Sequence, residues 1–416
     1  MPDDQFLRGW VAILALSVIT ATIAPRAGAA TKYKVLHAFG RTGDGGGLFG
    51  GLARDAQGSL YGMTSGGGAY GLGSVFELTP GLGGQWAETI LHSFCQPHNC
   101  GDGSAGLSGV IIDSKDSLFG LSTAGTFEMT PGSGGWTFKV IYGAGGDAMP
   151  LTNDPGQCDL LLDGPGNLYS PCFSFGKNYK GAVSELLPGS DGWKEKNLYD
   201  FCTHPRGGVC LGGNYPAFRL AWDTAGNLYG VTTEGGAHKA GVAYELEHTA
   251  GTWKEHVLHS FPAFDGDGYN FYAGLAVDSS GNVYGTTLQG GKNQGAGTVF
   301  ELSPQQNGTW KETILTDFPN SRQNGAGPAA AVVLDKTGNL YGTTTAGGDP
   351  GCGCGVVFKM TRKSGGNWKY SVLHRFIGQD EWSPQASVVL DDKGNIYGTT
   401  AEGGANGAGV VFEITP

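Results

Sequence analysis

The chain has 416 residues, 76 of them glycine, with 15% charged residues and a formal net charge of −11. An acidic chain of pI ≈ 5.2 offers no basic face to a phosphate backbone, so nucleic acid is excluded as the expected partner. That much glycine raises the question of low complexity, but here the glycines alternate with Tyr, Phe, Trp and Val at regular intervals and read as turn residues.

In chain order, residues 1–29 read as a signal peptide. Trp10 to Ala24 is apolar, and Ala27-Gly28-Ala29 gives the small-x-small pattern for cleavage before Ala30. Asp3 and Asp4 offset Arg8, which is unusual for such a leader. A retained anchor is the alternative, although the stretch is short for a membrane span. Cleavage would remove two acidic and two basic residues and leave the charge at −11. An exported location follows: extracellular, at the cell surface or periplasmic, with no span after cleavage.

From residue 30 onward one phrase recurs seven times: an apolar run ending in Asp, a turn, then Leu-Tyr-Gly-Thr-Thr or a variant. Its anchoring aromatics are Tyr61, Phe119, Tyr169, Tyr229, Tyr284, Tyr341 and Tyr397, spaced 58, 50, 60, 55, 57 and 56 residues apart. A fixed period of this size marks one supersecondary unit repeated. The fifth copy is clearest. Ala273–Asp278 reads as strand A, Asn282–Thr287 as strand B, Thr298–Leu302 as strand C and Trp310–Phe318 as strand D. The runs are short, β-branched and aromatic, and are separated by Gly, Pro, Asn and Asp. No helical period is sustained. The expected fold is all-β: a seven-bladed β-propeller over residues 30–416 with four antiparallel strands per blade.

The last copy ends after its strand C, Val410–Ile414. The missing strand D phrase stands at the other end of the chain, where Tyr33–Phe39 matches Tyr370–Phe376. The N-terminal strand is therefore expected to complete the last blade and remove an open sheet edge.

The phrases Gly226-Asn227-Leu228-Tyr229-Gly230, Gly338-Asn339-Leu340-Tyr341-Gly342-Thr343-Thr344 and Gly297-Thr298-Val299-Phe300-Glu301-Leu302 resemble the GloVer tandem repeat of exported bacterial proteins. The resemblance covers residues 31–416. It implies export and a repeat architecture and brings no catalytic residues. Some members carry C-terminal surface anchors; this sequence ends at Pro416 without a sorting segment.

Eight cysteines suit an oxidising compartment. Cys95 with Cys100, and Cys202 with Cys210, would staple loops after strand D. Cys158 and Cys172 occupy facing positions of the strand A–B hairpin in blade three and are expected to form a bridge. Cys352 and Cys354, one residue apart, read either as a loop staple or as thiols.

Residues repeated from blade to blade read as scaffold. They include the strand A aspartates, such as Asp55 and Asp278, whose carboxylates suit the following turn. They also include the strand C glutamates, His37, His92, His259 and His374 on strand D, and the tryptophans that open strand D. Sites are expected where the repeat breaks, on the face carrying the long B–C and D–A loops. Blade two has only 7 residues from Gly120 to Phe127 where blade one has 14 from Gly62 to Phe76, leaving a notch between long loops. The singletons there are His98, Asp102, Asp147, Asp154, His204, Tyr215 and His238, and these are the candidate ligand contacts. His204, His238 and Glu234 match no metal-ligand spacing. Asp44-Gly45 and Asp265-Gly266-Asp267-Gly268 are fragments of a calcium loop without the remaining ligands. No catalytic residue, metal or cofactor is assigned.

The expected function is a monomeric exported binding module. Loop aromatics including Phe49, Tyr215, Phe271, Tyr272 and Trp382 mixed with amides suit a glycan, a surface polymer or another exported protein. A lyase or hydrolase acting on polysaccharide or peptide, and a structural envelope protein, are the alternatives.

Overall fold

A computed structural model describes residues 31–416 apart from 41–42, 96–99, 107, 144–157, 173–175, 263–265, 293–294, 320–322 and 379–380. The fold is the seven-bladed propeller: seven four-stranded antiparallel sheets arranged in a ring. In blade five the strands are Ala276–Val277, Val283–Thr287, Thr298–Pro304 and Trp310–Asp317. Strand A is shorter than its apolar run. The residues before Ala276 leave the ladder and pack at the ring axis, where Gly274 lies so close to the Arg219 carbonyl that an added Cβ would sit 2.1 Å from it.

The last blade is built as expected. Lys32–Ala38 pairs antiparallel with Val410–Thr415, from Lys32 opposite Thr415 to Ala38 opposite Val410. The N-terminal strand thus becomes the outer strand of the blade formed by the C-terminus, and no strand C edge is left open there.

Packing between blades forms the core. One apolar cluster joins Phe39, Tyr397 and Val411 of the last blade to Leu60 and Phe76 of the first. Four strand D tryptophans, Trp86, Trp136, Trp193 and Trp368, lie edge-on to the anchoring aromatic of the preceding blade, as with Trp136 against Tyr61 and Trp368 against Tyr284. Small ribbons above blades one, five and seven pair a D–A loop with a B–C loop, for example Gly45–Gly46 with Gly66–Gly67. Both loop classes therefore share one end of the ring. Blade two instead joins Leu118–Ser122 to Gly125–Gly132 through a two-residue turn.

Cysteine pairing matches expectation at Cys95–Cys100 and Cys202–Cys210, and Cys352–Cys354 is also bonded. Cys158 and Cys172, the pair expected to bridge, are brought together. Both residues are buried, and their side chains are in contact. The hairpin ladder holds only Leu161–Leu162 on strand A. Upstream of it the backbone leaves the hairpin, and the Cys158 backbone bridges to Phe218 of the next blade.

Candidate functional site

The repeated polar residues are scaffold, as their frequency suggested. In blade five Asp278 Oδ1 accepts the backbone N–H groups of Ser280 and Asn282 at 2.8 and 2.9 Å. Its Oδ2 accepts the Tyr284 hydroxyl at 3.0 Å, and that phenol also reaches Glu301 at 3.3 Å. Asp–Tyr–Glu sets recur in blades one, three, four and seven. In blade two Phe119 has no hydroxyl to offer, and burial raises the Glu128 pKa. In blade six Lys359 replaces the glutamate and lies 4.9 Å from the centre of the Tyr341 ring.

Of the seven singletons, His98, Asp147 and Asp154 lie outside the described residues. Asp102 is a loop anchor: it meets His92 at 2.9 Å and accepts the Cys95 N–H at 3.1 Å. His204 is exposed and bonds Thr203. Tyr215 accepts Lys180 at 2.7 Å, and His238 is exposed above Ser260. Phe271 is not a surface ring; it is 1% exposed in the core of blades four and five.

The structure places its most pronounced break in symmetry at the ring axis. The residue four before the strand A aspartate is Gly51, Gly109, Asp159, Arg219, Gly274, Ala331 and Ser387 in blades one to seven. All seven line one cavity of about 460 Å³. Five are small because the inner strands converge there: a Cβ on Gly109 would lie 2.3 Å from the Gly51 carbonyl. Adjacent blades three and four alone put a carboxylate and a guanidinium into that ring. Asp159 Oδ1 accepts the Leu160 N–H at 2.8 Å. Burial raises its pKa, and Arg219 and that N–H oppose the rise. Phe49, Phe218 and Tyr272 complete the lining. Strand A enters from its D–A loop at this level, so the cavity belongs to the loop-bearing end.

A second cavity of about 450 Å³ lies at the opposite end between blades three and four. Trp222, Trp253, Asp163, Asp223 and Lys196 line it. Outer strands of neighbouring blades also meet through polar contacts. Tyr142 donates to Glu195 at 2.6 Å and Tyr199 to Glu255 at 2.8 Å. His37 faces Asp44 and Glu88, and His259 faces Asp267 and Glu312. These two His–Asp–Glu groups are the metal-competent clusters among the described residues; His204, His238 and Glu234 are not among them.

Residues 215–416 match the Gloeobacter/Verrucomicrobia repeat. That match spans the C-terminal 202 residues and supports the resemblance to this repeat family. No curated protein matches the chain. Among solved structures it is similar to a streptogramin B lyase, with 11% identity, a TM-score of 0.53 and coverage of 92% of this chain and 97% of that one. It is also similar to a gluconolactonase from Xanthomonas campestris, with 14% identity, a TM-score of 0.41 and coverage of 82% and 90%. At 11% identity the likeness to the lyase concerns the fold alone. Asp159 and Arg219 depart from the small residues that the other five blades place at the axis. A register comparison of the seven strand A phrases would have revealed them. Both residues lie inside strand phrases and outside the variable loops.

Proposed function

We propose that the protein is an exported binding module that takes a polar, ring-shaped ligand, such as the exposed unit of a surface glycan, into the axial cavity. One observation carries this reading: a seven-membered ring of otherwise small residues that holds an adjacent Asp159–Arg219 pair. Concave sites with apolar walls and a few convergent polar groups are where small ligands bind. The aromatic walls suit a sugar face, and the carboxylate and guanidinium suit its hydroxyls. Support for export comes from the leader-like residues 1–29 and from three disulfides.

Glycan-array screening followed by calorimetry tests the reading. Asp159→Gly and Arg219→Ala install residue types found at this ring position in other blades, so both variants should fold. Each is expected to weaken binding of the selected glycan at least about tenfold, the effect of losing roughly 1.4 kcal/mol. Unchanged affinity in both variants would refute the assignment.

A further inference from the structure

We propose that His37, Asp44 and Glu88, and equally His259, Asp267 and Glu312, form two divalent-cation sites of zinc type that clasp neighbouring blades. Each set takes its histidine from the end of one blade's outer strand, its aspartate from the following loop and its glutamate from the outer strand of the next blade. The first set spans the seam where the ring closes, and the second joins blades four and five.

The spacing carries the argument. Zinc bonds nitrogen and carboxylate oxygen at about 2.0–2.2 Å, so ligand atoms at the corners of its tetrahedron lie about 3.3–3.5 Å apart. His37 Nε2 is 3.3 Å from Asp44 Oδ2 and 3.4 Å from Glu88 Oε2. His259 Nε2 is 3.3 Å from Asp267 Oδ2 and 3.5 Å from Glu312 Oε2. In each set all three ligand atoms lie within 4.8 Å of one another. The molecule supplies its own control between blades one and two. There Phe138 stands where Glu88 and Glu312 stand in their blades, and it stacks on His92. Without a third ligand, His92 and Asp102 close to 2.9 Å, against 3.3 Å for the His37–Asp44 and His259–Asp267 hydrogen bonds.

The surroundings fit an ion. Asp44 is 5% exposed on its side chain, and its Oδ1 is fixed by the Gly45 N–H at 2.7 Å, which aims Oδ2 at the histidine. The other oxygens of Glu88 and Glu312 are buried, and no protein group donates to them. Two carboxylates held together at a largely buried seam favour a proton or a cation between them. One imidazole with two carboxylates suits a divalent ion that accepts both nitrogen and oxygen, as zinc does. Calcium would need six to eight oxygens, so the aspartate–glycine fragments in these loops are not calcium loops. Three protein ligands leave the fourth position to water or to an external ligand.

The test is zinc titration of the metal-stripped protein, read by calorimetry and by elemental analysis after dialysis. The expected result is two zinc ions per chain and a Tm raised by zinc. Glu88→Gln and Glu312→Gln should each bind one, and the double variant none, with a Tm insensitive to zinc. Glutamine keeps the shape and can donate to the facing aspartate, so these variants fold with or without an ion. His92→Gln should still bind two. Absence of uptake by the wild type, with no change in Tm, would mean the carboxylates share a proton and would overturn the proposal. Uptake that persists in the double variant would place zinc on other groups and would overturn it equally.

Discussion

At the residue scale, the recurring Tyr-Gly pair has a packing cause. The strand B glycine lies opposite the strand C aromatic, as Gly285 opposite Phe300. A Cβ there would sit 2.4 Å from the Phe300 ring. Blade three makes both changes together, with Ser170 opposite Ser184. Gly285→Ala should therefore destabilise by about 1–3 kcal/mol through overpacking, whereas Ser170→Ala should leave Tm nearly unchanged. Equal losses in thermal melts would refute this account of the motif.

A second residue-scale prediction concerns acid. His374 is stacked on Tyr33 at 3.8 Å, and its Nε2 is buried without an acceptor. Burial lowers its pKa from 6.5 to about 4. The neutral form is thus favoured in the fold, and its stability contribution is complete above pH 6.5. It is lost as pH falls from 6.5 toward 4, because the unfolded chain binds the proton first. Thermal melts across that window should show a fall in Tm that flattens in His374→Gln; an equal slope in both would contradict it. Cys158 and Cys172 provide a third check. Their side chains are in contact, so non-reducing peptide mapping should show a 158–172 cross-link; alkylation of both after unfolding without reductant would contradict it.

At the element scale, the strands were legible because turn residues punctuate short β-branched runs. The ring closure was legible because a strand D phrase is missing at one end of the chain and present at the other. A variant beginning at Gly40 would lose the strand that covers Val410–Thr415 and expose that edge. It should be less soluble and melt earlier than one beginning at Thr31. Equal melting would show that the strand adds nothing to the last blade. The length of strand A was not legible. The apolar run from Ala273 to Asp278 serves the ladder for two residues and the axis for the rest, and local pattern does not separate those roles.

At the scale of the whole molecule, the loop-bearing end was legible from where sequence variety concentrates, and Phe49 and Tyr272 were among the aromatics it singled out. Asp159, Phe218 and Arg219 were missed. They sit in strand phrases, and only the ring brings seven equivalent positions to one axis. The two His–Asp–Glu groups were missed likewise, because their glutamates come from a blade about 50 residues away in sequence. Hydrogen exchange with a glycan selected by array screening tests the central claim most directly. The account predicts slowed exchange in 49–52, 108–111, 217–220, 272–274 and 385–387, around the axial cavity. Protection confined to the opposite end, at turns such as 278–282 or along the Trp222–Trp253 groove, would contradict it.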